Sequence, residues 1–315
     1  MGGIRVESVG RLHLGLMDLH GGLERKFGGI GVALERPRVV VEAGQADELV
    51  VEGADEERTW EFAERFYANF SNRVDSKAHL RVREVIPPHV GLGSGTQLAL
   101  SVGTALAKVH CLDLGAIELS KALGRGRRSS IGAGAFESGG FLVDGGCRDG
   151  TGTPPILFRY PFPSDWIFVI VTPESPKVPS GGVEDSAFDN LPSPPEEMVG
   201  RICRLLVMKM LPSLIEGDVR GFGEAMTRVQ HLVGESFATA QAGRYASALS
   251  EELVAYMLAH GAAGAGQSSW GPTIYALIKG EDKALELEKK VRKLTDQARV
   301  FHTSVSNHGA RVMSG

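Results

Sequence analysis

An α+β fold built as two units is what the sequence predicts, on three observations. The chain has 315 residues, and at roughly 100–200 residues per domain that length supports two cores. A Pro-rich stretch, TPPILFRYPFPSD, marks a boundary near residue 160 and divides residues 1–160 from residues 161–315. Beyond it the pattern reads strand, helices, strand, helix, strand, which suits an α+β layer better than a regular βα repeat.

The elements follow from periodicity. Residues 6–16 and 31–41 read as strands, separated by the polar, Gly-rich MDLHGGLERKFGGI, which reads as a long loop. Trp60, Phe62, Ala63, Phe66, Tyr67 and Phe70 recur at helical spacing and predict a helix over 56–71. AHLRVREV alternates as a strand does, and helices follow over about 96–109 and 116–123. The stretch GRGRRSSIGAGAFESGGFLVDGG reads as a glycine-rich connection. WIFVIVTP opens the second unit as a buried strand, and a polar connection over 174–195 reads as a substrate loop. Helices near 196–212, 218–236 and 245–260, a strand TIYALI, a helix over 281–297 and a strand near 299–305 complete the chain.

Composition narrows the function classes. A net charge of −4 provides no electrostatic footprint for nucleic acid or an anionic membrane. Cys111, Cys147 and Cys203 are isolated and odd in number, which points to neither a disulfide framework nor a zinc site and favours the cytoplasm. The first residues have no apolar core resembling a signal peptide, and no run approaches ~18 apolar residues. A homodimer remains open.

The segment PPHVGLGSGTQLALSVG has the form of an anion site. A strand, a glycine turn and a helix start bring backbone N–H groups to one point, where the helix dipole adds about half a positive charge. The candidates are Gly91, Gly93, Ser94, Gly95 and Thr96, with Ser94 also able to ligate Mg²⁺ through its hydroxyl. The spacing matches neither GxxxxGK[ST] nor GxGxxG. A second cluster, GAAGAGQSSWGP, adds Gly264, Gly266, Gln267, Ser268 and Ser269 and suggests a cleft between the halves.

The run from Pro88 to Thr96, PHVGLGSGT, resembles the central motif of the GHMP kinase superfamily; the strand VESVGRLHLGLMDL and the GAGQSS loop match its first and last motifs in position. The superfamily resemblance implies an N-terminal domain similar to ribosomal protein S5 domain 2 and a ferredoxin-like C-terminal domain. GRLHLGLMDL, FGGIGVAL, GRGRRSSIGAGAFESGGFLVDGG and GQSSWGPT further resemble the β-ribofuranosylaminobenzene 5′-phosphate synthase family. Superfamily kinases with a catalytic aspartate carry it where this chain has Gly132, which cannot accept a proton.

That family's chemistry implies a site for phosphoribosyl diphosphate, an aromatic acid (4-hydroxybenzoate or 4-aminobenzoate) and Mg²⁺, in the methanopterin pathway, with release of CO₂ and diphosphate. Such a site must supply charge more than a base. Arg11 and His13 lie on the first strand, Arg25 and Lys26 in the loop after it, and Arg125, Arg127 and Arg128 in the glycine-rich connection. Arginine suits phosphate and carboxylate because its fork binds two oxygens. Arg11, Asp18 and Glu137 are the catalytic candidates, with Glu137 the first choice for Mg²⁺ and Asp18 for ribose hydroxyls or positive charge at C1. Asp144 reads as a turn residue, and Trp270, Phe136, His302 and His308 as structural. Two other readings stay open: an ATP-dependent small-molecule kinase, and a non-catalytic nucleotide-binding protein.

Overall fold

A computed structural model of the chain describes residues 3–148, 152–173, 191–241, 243–269 and 271–315. Most of the 174–195 connection and Trp270 lie outside the described residues.

β1 (Ile4–Asp18) and β2 (Arg25–Gly44) form one long antiparallel hairpin. The expected loop between them is therefore short, and Arg25 and Lys26 begin a strand. The glycines of this stretch pair as strand residues because neighbours occupy the space above them. A Cβ on Gly31 would stand 2.4 Å from Ile131. β2 also pairs with β4 (Ala78–Glu84), and β3 (Leu49–Gly53) runs parallel to β4 at the edge.

The helices α1 (Glu56–Phe70), α2 (Ser94–Val109), α3 (Ala116–Ala122) and α4 (Ile131–Ser138) pack on this sheet and on one another. α1 buries the expected face, including Phe62, Phe66, Tyr67 and Phe70. α4 arises from the stretch read as a connection. Its glycines disfavour a helix locally by about 1 kcal/mol each relative to alanine, and tertiary packing overrides that: Gly134 sits against Ile156 and Leu142. β5 (Phe141–Asp144), β6 (Cys147–Arg148) and β7 (Ile156–Tyr160) extend the sheet.

The second unit begins with β8 (Trp166–Pro173). α5 (Glu196–Leu205), a π-helical turn (Leu206–Met210) and α6 (Leu211–Glu216) form the next helical stretch. α7 (Val219–Gln241) and α8 (Ala248–Ala259) follow, then β9 (Gly264–Gln267), β10 (Ile274–Lys279), α9 (Glu281–Arg292) and β11 (Ala298–Ser304). The antiparallel sheet has the order β11-β8-β10-β9, the arrangement implied for a ferredoxin-like domain. The last strand, β12 (Arg311–Ser314), returns to the first sheet, with Ile4 opposite Ser314.

Alternation along β8 divides two cores. Val169 and Val171 face a layer with Val254, Met257 and Leu287, while Phe168 and Ile170 face inward. The inward core is shared. Phe222 of α7 meets Phe141 of the first sheet at 5.7 Å and Trp166 of the second at 5.4 Å between ring centroids. Burying one such ring stabilises by roughly 1.5–3 kcal/mol, so α7 holds the two units against each other. Among the described residues no helix is long and apolar enough to cross a membrane.

Candidate active site

The glycine turn after β4 creates the first half of the site. Gly91 and Gly93 have φ of 86° and 85°, a region costly for residues with a Cβ. Gly93 is the N-cap of α2, no side chain caps the helix, and its first turn carries no acid. The helix therefore presents N–H groups and a positive dipole end. Two arginines reinforce that sign. Arg11 lies across Gly93 and donates from Nη1 to the Gly91 carbonyl at 2.5 Å. Arg125 brings Nη2 to 2.9 Å from where a Gly95 Cβ would stand.

The second unit joins this turn through β1. The Ser268 hydroxyl donates to the Gly91 carbonyl at 2.7 Å and accepts from the His13 N–H at 3.0 Å. The Ser269 N–H donates to the His13 carbonyl at 3.2 Å. His13 is buried, and burial, with Arg11 nearby, lowers its pKa to about 3. The ring is thus neutral at physiological pH. Its Nε2 lies 3.3 Å from the Ser129 hydroxyl, which donates to Asp144 at 2.7 Å.

Beside His13 a cleft opens between β1 and α7. Leu16, Val233 and Phe237 provide an apolar wall, while His13, Ser269, Gln230, Gln241, Gln267 and Arg244 provide polar groups. The glutamines are interlocked. Gln230 donates to the Leu14 carbonyl at 2.6 Å and accepts from the Gln267 N–H at 2.8 Å; Gln241 donates to the Arg244 carbonyl at 2.7 Å. A mixed wall of this kind suits a small amphipathic ligand. Gln230, Phe237, Gln241 and Arg244 were not singled out from sequence: the first three lie on α7, an ordinary amphipathic helix, and Arg244 lies in the connection after it.

Several expected site residues have other placements. Asp18 ends β1 and accepts from the His20 and Gly21 N–H groups at 2.7 and 2.8 Å, so it closes the hairpin turn. At about 3.3 Å per strand residue it lies roughly 23 Å along β1 from Arg11. Glu137 is exposed near the C-terminal end of α4. Five residues after Gly132, which touches Thr96, it is turned about 140° away around the helix. Neither carboxylate stands at the α2 turn.

Arg25 donates to the carbonyls of Gly145 and Gly146 at 2.9 and 2.8 Å, and Lys26 folds over Gly21. Both serve the hairpin and its neighbouring turn. Arg127 is exposed and Arg128 half-buried ahead of α4. Gly264 and Gly266 are buried strand residues facing α7, with Gly264 against the Gly223 backbone and Gly266 against Gln230. Gln267 and Ser269 do line the cleft, while the Ser268 hydroxyl joins the glycine turn to β1.

Asp144 is the buried acid of the region. It accepts from the Ser129 hydroxyl and from the N–H groups of Gly29, Ser130 and Gly146, at 2.7 to 3.0 Å. Those bonds make it an anchor for the start of α4, a stronger version of the turn role expected of it.

Comparisons with known proteins decide the family. Residues 58–140 match the GHMP kinases N terminal domain and residues 210–297 the GHMP kinases C terminal family. A β-ribofuranosylphenol 5′-phosphate synthase of Methanothermobacter thermautotrophicus is 32% identical over 97% of each chain. Its counterpart in Methanocaldococcus jannaschii is 34% identical over 90% of this chain and 91% of that one. The chain belongs to the β-ribofuranosylphenol 5′-phosphate synthase family of the GHMP kinase superfamily. It is thereby an enzyme of the transferase type.

Solved structures agree on the fold. Phosphomevalonate kinase of Streptococcus pneumoniae superposes with a TM-score of 0.73 at 14% identity, covering 97% of this chain and all of that one. A putative homoserine kinase of Listeria monocytogenes gives 0.67 at 18% identity over 98% and 99%.

Proposed function

We propose that this synthase transfers a ribosyl 5-phosphate group from phosphoribosyl diphosphate to 4-hydroxybenzoate, releasing CO₂ and diphosphate. The observation that carries the reading is at Gly132. A Cβ there would stand 2.9 Å from the Thr96 side chain, so this chain packs a glycine against Thr96 where a base-dependent superfamily kinase carries its aspartate, and Thr96 would have to shift to admit one. A reaction needing no base at that position fits the site, and the phenol in the relatives' name favours the hydroxy acid as acceptor.

In the proposed step the bond from C1 of the ribose to diphosphate breaks, and its electron pair leaves with the diphosphate. The ring carbon bearing the carboxylate forms the new bond to C1. The C–CO₂ bond then breaks and returns its electron pair to the ring, restoring aromaticity. Atoms and charge balance without removal of a ring proton. The N–H groups at the start of α2, with Arg11 and Arg125 beside them, stabilise the departing charge, and prearranged donors of this kind carry much of a catalytic effect. The cleft beside His13 receives the aromatic ring.

Mg²⁺ is expected in such chemistry, yet the described residues do not form its cage. Among them no group of three or more His, Cys, Asp or Glu side chains could hold a metal, and Asp144 has its oxygens committed. Ser94 and Thr96 bring side-chain hydroxyls to the turn.

The test supplies carboxyl-labelled 4-hydroxybenzoate with phosphoribosyl diphosphate and measures labelled CO₂ against diphosphate. Equal release of both is the expected result. No CO₂, with ATP consumed on an alcohol instead, overturns the reading.

A further inference from the structure

Arg244 lines the cleft beyond the residues that touch the glycine turn. The turn contacts Ser268, the 267–269 segment lines the cleft, and Gln267 leads through Gln241 (3.4 Å) to the Arg244 carbonyl. The Arg244 stem lies over Gly234 of α7, where a Cβ would stand 2.7 Å from its Cγ. Helix and arginine are fitted to each other at that point. Its Nε is buried, with no hydrogen-bond partner among the described residues. A buried donor left unsatisfied costs about 1–3 kcal/mol, which makes it a site awaiting an acceptor.

From this geometry, and resting on the function proposed above, we infer that Arg244 recognises the para oxygen of the acceptor and selects a phenol over an aniline. The orientation follows from the reaction. The carboxylate-bearing carbon must face C1 and the diphosphate at the glycine turn, so the para substituent points away from the turn, toward Arg244. Phe237, Val233 and Leu16 line the ring's path.

The chemistry gives the selection its sign. A guanidinium has donors only, which suits a phenolate oxygen. It favours loss of the phenol proton, and the phenolate pushes electrons toward the attacking carbon. A phenol ordinarily titrates near pH 10. Lowering that value enlarges the reactive fraction at neutral pH by more than it weakens each phenolate, the usual balance for a nucleophile. A para amine behaves oppositely. As its ring attacks, nitrogen gains positive charge, and an adjacent guanidinium opposes that.

Other charged groups near Arg244 would not imitate this effect. Glu251 of α8 lies 3.7 Å from Nη1 on the solvent side. His231 on α7 is held down by burial and then by Arg244, while Glu235 and Glu251 pull the other way. Burial pushes Tyr245 up to about 12. Neither His231 nor Tyr245 is moved into the range between pH 7 and 10 by these surroundings.

The experiment measures kcat/KM for 4-hydroxybenzoate and 4-aminobenzoate at saturating phosphoribosyl diphosphate, across pH 6–10. The enzymes are the wild type, Arg244→Gln, Arg244→Met and Arg244→Lys. Two neutral replacements of different polarity are included so that misfolding of one leaves the other. Either is expected to lower the hydroxy-to-amino ratio at least tenfold and to move the acidic limb for 4-hydroxybenzoate upward in pH. KM for phosphoribosyl diphosphate should hold within twofold, and Arg244→Lys should restore much of the ratio. A ratio unchanged in both neutral variants overturns the assignment, as does a tenfold rise in KM for phosphoribosyl diphosphate. If the wild type releases no CO₂ from either acid, the parent function has failed. Equilibrium titration with the two benzoates then judges Arg244 separately: selective loss of 4-hydroxybenzoate binding in Arg244→Gln supports it, and equal loss removes it.

Discussion

The two glycine segments look alike in sequence and differ in the fold. Gly91 and Gly93 have positive φ and shape the turn that starts α2. Gly264 and Gly266 lie in an ordinary strand, where the missing Cβ lets α7 approach. In the first segment glycine provides backbone freedom; in the second it provides clearance. A glycine-rich string therefore says that a Cβ is excluded, and the tertiary neighbours say by what.

The largest effect should come from breaking the clearance. Gly264→Val would drive a side chain into the Gly223 backbone, 2.2 Å from the first added carbon. The contact is backbone on backbone and cannot yield by rotation. A stability loss of about 3 kcal/mol or more is expected in denaturant titration, at the upper end for overpacking. A variant within 1 kcal/mol of wild type would show that helix and strand can separate at no great cost.

At the turn, loss should appear in function first. Arg11→Met removes a cation and the clamp on the Gly91 carbonyl. A charge-assisted bond is worth about 2 kcal/mol, or roughly thirtyfold in affinity, so KM for phosphoribosyl diphosphate should rise by about that factor. A normal KM would free the turn from its anion role.

His13 between the segments sharpens the comparison through pH. Its folded pKa of about 3 lies below the 6.5 of an ordinary histidine, so the unfolded chain binds the extra proton. Stability is full above pH 6.5 and falls as pH drops toward 3. From pH 6.5 to 4.5 this histidine should cost on the order of 2 kcal/mol. His13→Gln should flatten that part of the stability–pH curve, and an unchanged slope would place the acid sensitivity elsewhere.

The smallest effect is expected at Glu137. Exposed on the far side of α4, Glu137→Gln should leave the Mg²⁺ midpoint of activity within twofold. A tenfold shift would restore it as a metal ligand.

Much of this protein was legible in its residues. Hydrophobic spacing located α1, which buries one face, and apolar runs located α2 and β8, which are buried almost all round. The motif from Pro88 to Thr96 indicated the glycine turn and the start of α2, since both are built within nine consecutive residues. The vacancy at Gly132 was equally visible, being a matter of which residue stands at one position. What sequence left undecided depends on neighbours distant in the chain. α4 forms among glycines only because Thr96, Ile156 and Leu142 pack on it. Asp18 and Glu137 looked plausible as acids, yet a hairpin turn and a helical rotation carry them away from the turn. Arg244 gave no local signal at all: its role arises where α7, β1 and the 267–269 segment converge, and that convergence exists only once the two units have packed around Phe222.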